Sequence, residues 1–417
     1  MQKHDTLKGF GNYFQSEAMK NALPPNQNSP QQVPYQLYAE QINGSAFTCP
    51  RETNRSTWTY RLQPSVVHSN YSLYQKSPLF SLEIPPNPNQ LRYGSLNNKK
   101  NNHSFVEGLE AIAANKVSRI YTYQLNQTHN HEYFINHDGE FLIVAQEGEL
   151  SLVTEFGKLT ISPGEIAVLP KGIMFQALGN NCYGYICESL TGSYRLPDLG
   201  PIGANGLANP HDFIYPNAMY IDKQEMSQII SLYQNHLWQK STPYNPLNIV
   251  AWRGNYLPYK YDLSRFNTIN SVSFDHPDPS IFTVLTVPSL SKGTADIDFV
   301  IFPERWMVAE HTFRPPYFHK NCMSEFMGLI HGCYDAKSEG FEPGGFSIHN
   351  AMTAHGPDSQ IYENNITKEL NNIKYKNTLA FMFESGHCWN ITNNMVNHPA
   401  KQKNYNDCWQ GLTNNFN

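Results

Sequence analysis

The sequence predicts a mainly β protein with few helices, built from two β-sandwich or jelly-roll units, of which the C-terminal one binds a metal ion. Two observations predict this fold class. Short apolar stretches follow one another at close spacing in residues 121–194 and again after residue 271, with Gly, Pro and Asn between them. Only two segments carry clear helix signals. Short strands separated by turn residues are typical of all-β sandwiches and barrels.

The composition indicates a folded, packed protein. Its 417 residues allow two or three domains, and 13% of them are aromatic. The formal charge of -5 provides no basic surface for nucleic acid, and no apolar run approaches the length that spans a membrane. Seven scattered cysteines without a CxxC pair, and an N-terminus without a secretory signal, favour the reducing cytoplasm.

The N-terminal half is predicted to consist of strands and turns with one short helix. Residues 1–100 are rich in Pro, Asn and Gln, which favour turns and short strands. The short helix is expected near Ser104, because Ser104 and Glu107 have the spacing of a capping box and an Ala-rich run follows. Further on, residues 141–144 form a compact apolar strand in this interpretation, and Phe156-Gly157-Lys158 is the tip of a hairpin.

The clearest helix signal covers residues 222–238. The apolar residues that would share one helix face are Met226, Ile229, Ile230, Tyr233 and Leu237. This helix is expected to mark the passage between the two β units. The domains predicted on this basis are residues 1–265, a β-rich structural domain, and residues 266–417, a catalytic domain.

The candidate metal ligands lie in the second unit. His319 and Glu325 are followed by His349 and His355, and a non-haem Fe(II) oxygenase needs two imidazoles and one carboxylate on one face of the metal. His319, Glu325 and one of the two later histidines would supply that set. Glu325 is followed by six residues and then Gly332, the spacing of the first cupin motif, and both units are predicted to be cupin-like. Spacing alone does not choose between Fe, Mn and Zn.

The first unit is predicted to be a metal-free structural domain. Its Pro- and Gly-rich turns resemble a second cupin motif, but Phe175 stands where a histidine ligand belongs. His129 and His131 form an HxH pair, yet Glu140 lies too far along the chain and no third histidine follows at the expected place. These two histidines are therefore expected at the surface or at an interface.

Longer motifs extend from end to end and resemble the homogentisate 1,2-dioxygenase family. They appear in the family's order, and the segments that carry the resemblance are GFGNYFQSEA, RETNRSTWTYR, DGEFLIVAQEGEL, TEFGKLTISPGEI, GPIGANGLANPHDF, FDHPDPSIFTVLT, FVIFPERW, FRPPYFHKNCMSEFMGLI and HGPD. The resemblance implies an Fe(II)-dependent enzyme that opens the ring of homogentisate with O2, giving 4-maleylacetoacetate in tyrosine and phenylalanine catabolism. It also implies a homohexamer made of two trimers.

The resemblance assigns roles by position. Positions that match the iron ligands of the family are His319 and Glu325, in YFHKNCMSEF, and His355, in AHGPD. His276, in FDHPDPS, matches the catalytic histidine that takes the phenol proton. The positions implied to contact the substrate are Tyr334, His349 and His355, with His349 close to the metal rather than bound to it.

Two other classes of function remain open in the sequence. Another metal-dependent cupin enzyme, such as a gentisate-type dioxygenase or an isomerase, would be active on other substrates or without O2. A non-enzymatic bicupin would have scrambled ligand positions in both units. Here only the first unit lacks them, which favours an enzyme.

Overall fold

The computed structural model describes residues 6–98, 102–198, 207–273, 279–334, 336–337 and 339–416. Within these residues the chain is mainly β. Strands β1 to β28 are, in chain order, Leu7–Lys8, Phe14–Glu17, Tyr38–Asn43, Ser56–Arg61, Ser72–Leu73, Leu91–Tyr93, Leu109–Ala114, Ser118–Leu125, Glu132–Asn136, Glu140–Glu147, Leu150–Thr154, Gly157–Ile161, Glu165–Leu169, Met174–Leu178, Cys182–Ser189, Ile214–Tyr215, Ser227–Tyr233, His236–Thr242, Ile249–Gly254, Tyr259–Asp262, Thr283–Pro288, Ala295–Phe302, Arg305–Met307, Ser324–His331, Phe346–His349, Ile373–Tyr375, Leu379–Ser385 and Asn390–Ile391.

Helices are few and short. In the described ranges the α-helices are α1 (Ser359–Ile366) and α2 (Asn393–Val396). The 3-10 segments are Pro34–Gln36, Pro210–Asp212, Leu263–Arg265, Pro279–Phe282 and Tyr405–Trp409. No helix in this part of the chain has the length and apolar character needed to cross a membrane. The predicted mainly β fold with few helices is confirmed.

A nine-stranded sheet lies at the centre of the molecule, with the strand order β1-β16-β20-β13-β10-β15-β8-β7-β28. Both of its faces are buried. On β10, Leu142 and Val144 pack into the core shared with the C-terminal unit, whereas Phe141 and Ile143 pack into the core of the first unit. A continuous apolar run, rather than an alternating one, is the pattern of a strand covered on both faces. The strand predicted at residues 141–144 is confirmed, as is the hairpin between β11 and β12.

Two further sheets sandwich this central one. The seven-stranded sheet β12-β11-β14-β9-β17-β18-β5 completes the first unit, and the six-stranded sheet β21-β22-β27-β24-β25-β6 forms the second. Aromatic rings fill the space between the central and six-stranded sheets. The Tyr185 ring on β15 lies 4.9 Å from that of Phe381 on β27 and 6.4 Å from that of Phe326 on β24. The described residues also form two smaller sheets, β2-β19-β4-β3 and β23-β26.

The two units exchange strands. Strand β6, from the N-terminal part of the chain, pairs with β25 at the edge of the six-stranded sheet, with Ser347 opposite Arg92. In return, β28 from the C-terminal part pairs with β7 at the edge of the central sheet. Each unit therefore completes a sheet of the other. This exchange brings Arg92 to the sheet that carries the candidate metal ligands.

The helix predicted at residues 222–238 is wrong, because this segment forms the hairpin β17–β18. Gln234 and Asn235 join the strands with φ values of 49° and 63°, which is the left-handed geometry of a tight two-residue hairpin turn. Pairing of β17 with β9 adds a third strand. Met226 and Tyr233, placed on the buried face of the predicted helix, are exposed. Tertiary pairing overrode a helical spacing of apolar residues.

The helix predicted near Ser104 is also wrong, although its capping hydrogen bonds form. The Ser104 N–H donates to the Glu107 carboxylate at 3.0 Å, and the Glu107 N–H donates to the Ser104 hydroxyl at 3.4 Å. These bonds close a single turn. The Ala-rich run that follows becomes β7, which pairs with β8 inside the central sheet. A capping box thus fixed a turn, while the sheet determined what came after it.

Candidate metal centre

The six-stranded sheet carries a row of polar side chains across neighbouring strands. In the register of β24, Glu325 stands opposite His349 on β25 and opposite Glu384 on β27. Side chains alternate between the two faces of a strand. Because Phe326 packs toward the central sheet, Glu325 points to the opposite face. The row therefore lines a cavity on the outer face of this sheet.

His319 and His355 reach the same place from loops. Their backbones form an isolated β-bridge, in which the His319 N–H donates to the His355 carbonyl at 2.9 Å and the His355 N–H donates to the His319 carbonyl at 3.1 Å. This pairing sets the two imidazoles side by side, with ring centroids 4.2 Å apart. Residues 36 positions apart in the chain are thereby fixed as a unit.

Hydrogen bonds to the backbone fix which ring nitrogens face the cavity. The Nδ1 atom of His319 lies 2.8 Å from the Tyr317 carbonyl, and that of His355 lies 3.0 Å from the Thr353 carbonyl. A carbonyl oxygen only accepts, so each Nδ1 carries a proton, and in a neutral ring the lone pair is then on Nε2. Both Nε2 atoms point at Glu325, at 3.4 Å and 2.9 Å from its carboxylate oxygens.

The arrangement fits a divalent cation. One ligand atom from each of His319, Glu325 and His355 lies within 4.8 Å of the others. Among the described residues, these three form the cluster of His, Cys, Asp or Glu side chains that could hold a metal ion. Two imidazole lone pairs and a carboxylate that converge in this way are the donors that a divalent cation binds. Second hydrogen bonds that hold the imidazoles in the Nδ1–H form are typical of metal-binding histidines. The donor set of two nitrogens and one oxygen suits iron and other divalent transition metals.

The electrostatics of the site follow from burial and from these contacts. Burial would raise the pKa of Glu325, yet its close contacts with the His319 and His355 rings hold that pKa well below the ordinary range. Burial opposes the charged form of His319, but the Glu325 contact and the Tyr317 carbonyl raise the pKa of this imidazole. Burial lowers the pKa of His349 well below its ordinary value, so this ring is neutral. Glu325 is thus a carboxylate at neutral pH.

Two models of one protein family match the chain. The model described as homogentisate 1,2-dioxygenase N-terminal matches residues 5–263, and the one described as homogentisate 1,2-dioxygenase C-terminal matches residues 264–416. The chain belongs to the homogentisate 1,2-dioxygenase family. The resemblance noted in the sequence motifs is confirmed.

Individual relatives agree with this family. A homogentisate 1,2-dioxygenase of Legionella pneumophila (strain Corby) is 53% identical, covering 97% of this chain and 98% of the relative. One of Pseudomonas savastanoi pv. phaseolicola is 49% identical, covering 98% and 96%. Among solved structures, an oxalate decarboxylase of Bacillus subtilis is 14% identical with a TM-score of 0.29, covering 75% of this chain and 82% of that one. The full-length relatives show that the chain is a dioxygenase, which implies a metal cofactor, a small aromatic substrate and O2.

The other residues that the family resemblance singled out are distributed as follows. His349 lies on the cavity wall, where its ring stacks 4.2 Å from that of His355 and its Nε2 shares a hydrogen bond of 2.8 Å with the Tyr405 hydroxyl. Tyr334 lines the cavity and is half-buried. His276 lies outside the described residues. The structure therefore brings His349 and Tyr334 to the same cavity as His319, Glu325 and His355.

The histidines of the first unit lie elsewhere. His129 pairs with Glu132 at 3.6 Å, and His131 pairs with Glu225 at 3.5 Å, with both imidazoles partly exposed. Phe175, at the position where a cupin has a ligand, is buried in an aromatic cluster 5.6 Å from Phe134.

Several residues of the cavity were missed in the sequence. Within about 690 Å³ the cavity has an acidic wall of Asp298 and Glu384, apolar walls, and a basic wall of Arg92 and Lys337. Burial and the nearby charge of Glu325 raise the pKa of Glu384 to about 8. One signal could have found Glu384, because it is the single charged residue in the apolar strand β27. Arg92 carries no such signal, because an N-terminal strand brings it there.

Asn321 is a further missed residue, and it orients the central carboxylate. Its side-chain amide donates to Glu325 Oε1 and to Glu384 Oε1, both at 3.0 Å. Its own oxygen accepts from the Met323 N–H at 2.9 Å, which fixes the direction of the amide. Both hydrogens of the amide are therefore used to hold two acidic side chains in place.

We expect Asn321→Ala to lower the affinity for Fe(II) about 10–100-fold, the usual effect of removing a group that orients a metal ligand. Glu325 would lose its fixed orientation, because the amide that holds Glu325 Oε1 would be gone. Competition with a chromophoric chelator under anaerobic conditions measures this affinity. Asn43→Ala is the control, because Asn43 is exposed and its side-chain amide donates to Gln41 Oε1 at 3.4 Å. An unchanged affinity in Asn321→Ala would show that Glu325 holds its position without the amide.

Proposed function

We propose that this protein is an Fe(II)-dependent homogentisate 1,2-dioxygenase that converts homogentisate and O2 to 4-maleylacetoacetate in tyrosine and phenylalanine catabolism. One observation carries the proposal. In a chain of this family, the Nε2 atoms of His319 and His355 and the carboxylate of Glu325 converge within 4.8 Å on the wall of a cavity of about 690 Å³. That volume accepts a small aromatic ring with its side arm.

In this proposal His319, Glu325 and His355 hold the iron. Bound Fe(II) would bind oxygen atoms of the substrate and activate O2. The chain contributes the fixed geometry of the three ligands. The β-bridge between His319 and His355 holds the imidazoles, and Asn321 holds the carboxylate, so the ligand set is arranged before the ion arrives. Such preorganisation removes the cost of ordering the ligands during the reaction.

Side chains around the ligands would bind and orient the ring. His349 is neutral and held by Tyr405, so its imidazole can accept or donate a hydrogen bond to substrate without introducing charge. Tyr334 provides a phenol at the cavity wall, and His355 contributes the edge of its ring. His276 remains predicted to take the phenol proton, a role typically worth roughly 10²–10⁴-fold in rate. Met327 and Met382 supply an apolar surface for the ring.

The test is anaerobic reconstitution with Fe(II), followed by O2 consumption and ultraviolet absorbance after addition of homogentisate. Uptake of one O2 per homogentisate with growth of the maleylacetoacetate band is the expected result, and Mn(II) or Zn(II) should not replace iron. Turnover of gentisate but not of homogentisate would support the iron centre and show that the proposed substrate is wrong. Metal binding without turnover of any ring substrate would remove the dioxygenase proposal and favour an isomerase or a binding protein.

We further propose a cytoplasmic homohexamer built from two trimers. The free state of all seven cysteines supports a reducing compartment. The proposed domains are residues 1–265 and residues 266–417, with catalysis in the second. Light scattering after size-exclusion chromatography tests the assembly, and a mass of one or two chains would contradict it.

A further inference from the structure

Two cations, Lys337 and Arg92, line the cavity, and neither forms an ion pair with a carboxylate of the described residues. Lys337 Nζ donates to the Gly356 carbonyl at 2.8 Å and lies 4.4 Å from the centre of the Trp409 ring. The Arg92 guanidinium lies 4.3 Å above the Tyr405 ring and donates to the Glu339 carbonyl at 3.2 Å. Both side chains are therefore held by neutral oxygens and by aromatic faces. Together they form the basic wall of the cavity.

The positive charge of this basic wall is not compensated within the described part of the chain. There, no carboxylate oxygen comes within 4.0 Å of Lys337 or Arg92, whereas other lysines and arginines form such pairs. The acidic groups that act on Lys337 are Cys408, whose Sγ lies 4.0 Å from Lys337 Nζ, and then Asp358. The Asp358 carboxylate caps helix α1 through the Ile361 N–H at 2.8 Å. Burial lowers the pKa of Lys337 to about 8, as expected for a cation without a close anion.

The basic wall lines the same cavity as the proposed metal ligands. Lys337 lines the same cavity as His349, whose ring stacks on that of the candidate ligand His355. Asp298 and Glu384 also line the cavity, and burial raises the pKa of both carboxyl groups. An anion entering the cavity is therefore attracted to Lys337 and Arg92. A partly buried cation pair of this kind is worth far more to an anion than an exposed pair.

The proposed reaction creates an anion. Homogentisate has one carboxylate, on its acetate arm. Cleavage between the ring carbon that bears this arm and its hydroxyl-bearing neighbour turns the first carbon into a ketone and the second into a new carboxylate. Both atoms of O2 enter the product, and one proton leaves. The substrate monoanion therefore becomes an eight-carbon dicarboxylate, and the new negative charge arises inside the cavity.

We propose that Lys337 and Arg92 form a carboxylate subsite that receives the carboxylate created by ring opening. This inference rests on the proposed function and adds a binding role for two side chains outside the ligand set. In the proposed complex the acetate carboxylate would be bound by Fe(II), so the basic wall stays available until the ring opens. Lys337 offers point-charge donors, and Arg92 offers a guanidinium edge.

The test compares octanedioate with octanoate, two saturated eight-carbon chains that differ by one terminal carboxylate. Calorimetric titration into the anaerobic Fe(II)-loaded protein gives the dissociation constant of each. We expect octanedioate to bind about tenfold or more tightly than octanoate, the effect of one added charge-assisted contact. Lys337→Met should abolish this preference, and Lys337→Arg should retain it. Lys240→Met is the matched control, since Lys240 also lies over a ring, 4.9 Å from that of Tyr71, but outside the cavity.

Several outcomes would overturn the subsite. Equal affinity of the unaltered protein for octanedioate and octanoate would overturn it. A preference for octanedioate that survives in Lys337→Met would overturn it as well. Anaerobic binding of homogentisate itself tests the remaining alternative, in which the basic wall binds the acetate arm of the substrate. If Lys337→Met weakened homogentisate as much as octanedioate, the wall would bind the acetate arm rather than the new carboxylate. A Lys337-dependent preference in a protein that fails to turn over homogentisate would support the subsite and overturn the proposed function.

Discussion

The variant His319→Ala is expected to lose tightly bound Fe(II) and to lower O2 uptake with homogentisate about a thousandfold, since a metal ion contributes several kcal/mol to such a reaction. The Nε2 atom of His319 is one of three converging donors, and alanine leaves only Glu325 and His355. No other described histidine can replace it. The nearby His349 is committed through Nε2 to the Tyr405 hydroxyl at 2.8 Å. Iron per chain, measured after desalting, and O2 electrode rates test both effects.

His129→Ala is the matched control for this experiment. His129 is also a partly exposed histidine with a carboxylate neighbour, Glu132 at 3.6 Å, but it lies in the first unit. We expect its iron content and O2 uptake to equal those of the unaltered protein. Full iron content and turnover in His319→Ala would show that this imidazole is not a ligand. Loss of iron in His129→Ala would instead place a metal in the first unit.

The candidate ligands could be predicted from the sequence because their spacing is local. His319 and Glu325 are six residues apart, and Glu325 opens the strand that ends before Gly332. Gly332 has a φ of 79°, and a Cβ there would approach the Asn377 carbonyl oxygen to 2.1 Å, so glycine is required at this turn. The motif thus encodes a strand, a ligand and a turn together.

The basic wall and the exchanged strands could not be predicted in this way. Arg92 lies in a strand of three residues, whose partner β25 is more than 250 residues further along the chain. Nothing near Arg92 specifies that partner, because pairing between distant strands depends on the finished fold. Tyr405 presents the same problem, since its contact with His349 joins a 3-10 segment near the C-terminus to a buried strand.

The incorrect helix at residues 222–238 illustrates a different limit. Ile229, Ile230 and Leu237 fit a helical face, but Ile230, Leu232 and Leu237 also fit a hairpin that packs on the first core. Apolar spacing was therefore ambiguous, and the turn chemistry at Gln234-Asn235 decided between the two. The position of Glu325 had less ambiguity, since the strand and the glycine turn at Gly332 agreed with each other, whereas spacing alone left the choice between His349 and His355 open.

Phe381→Ala is expected to lower the free energy of unfolding by about 3–5 kcal/mol, the usual cost of removing a buried phenylalanine. The Phe381 ring is fully buried between the central and six-stranded sheets. It lies 4.9 Å from the Tyr185 ring and 5.0 Å from the Phe383 ring, and it covers Gly328, where a Cβ would come within 2.3 Å of it. Since Gly328 has no side chain, nothing from β24 can fill the space left by the ring. Urea unfolding of the metal-free protein measures the change.

Phe416→Ala is the control, because Phe416 is almost fully exposed and should leave stability unchanged. The position of Phe381 also makes a prediction about cooperativity. Its ring belongs to β27 of the second unit, and its closest partner ring, Tyr185, belongs to β15 of the first. Because β6 and β28 each complete a sheet of the other unit, both units should lose stability together. Separate unfolding of the second unit alone in Phe381→Ala would contradict this, and would mean that the exchanged strands do not couple the two cores.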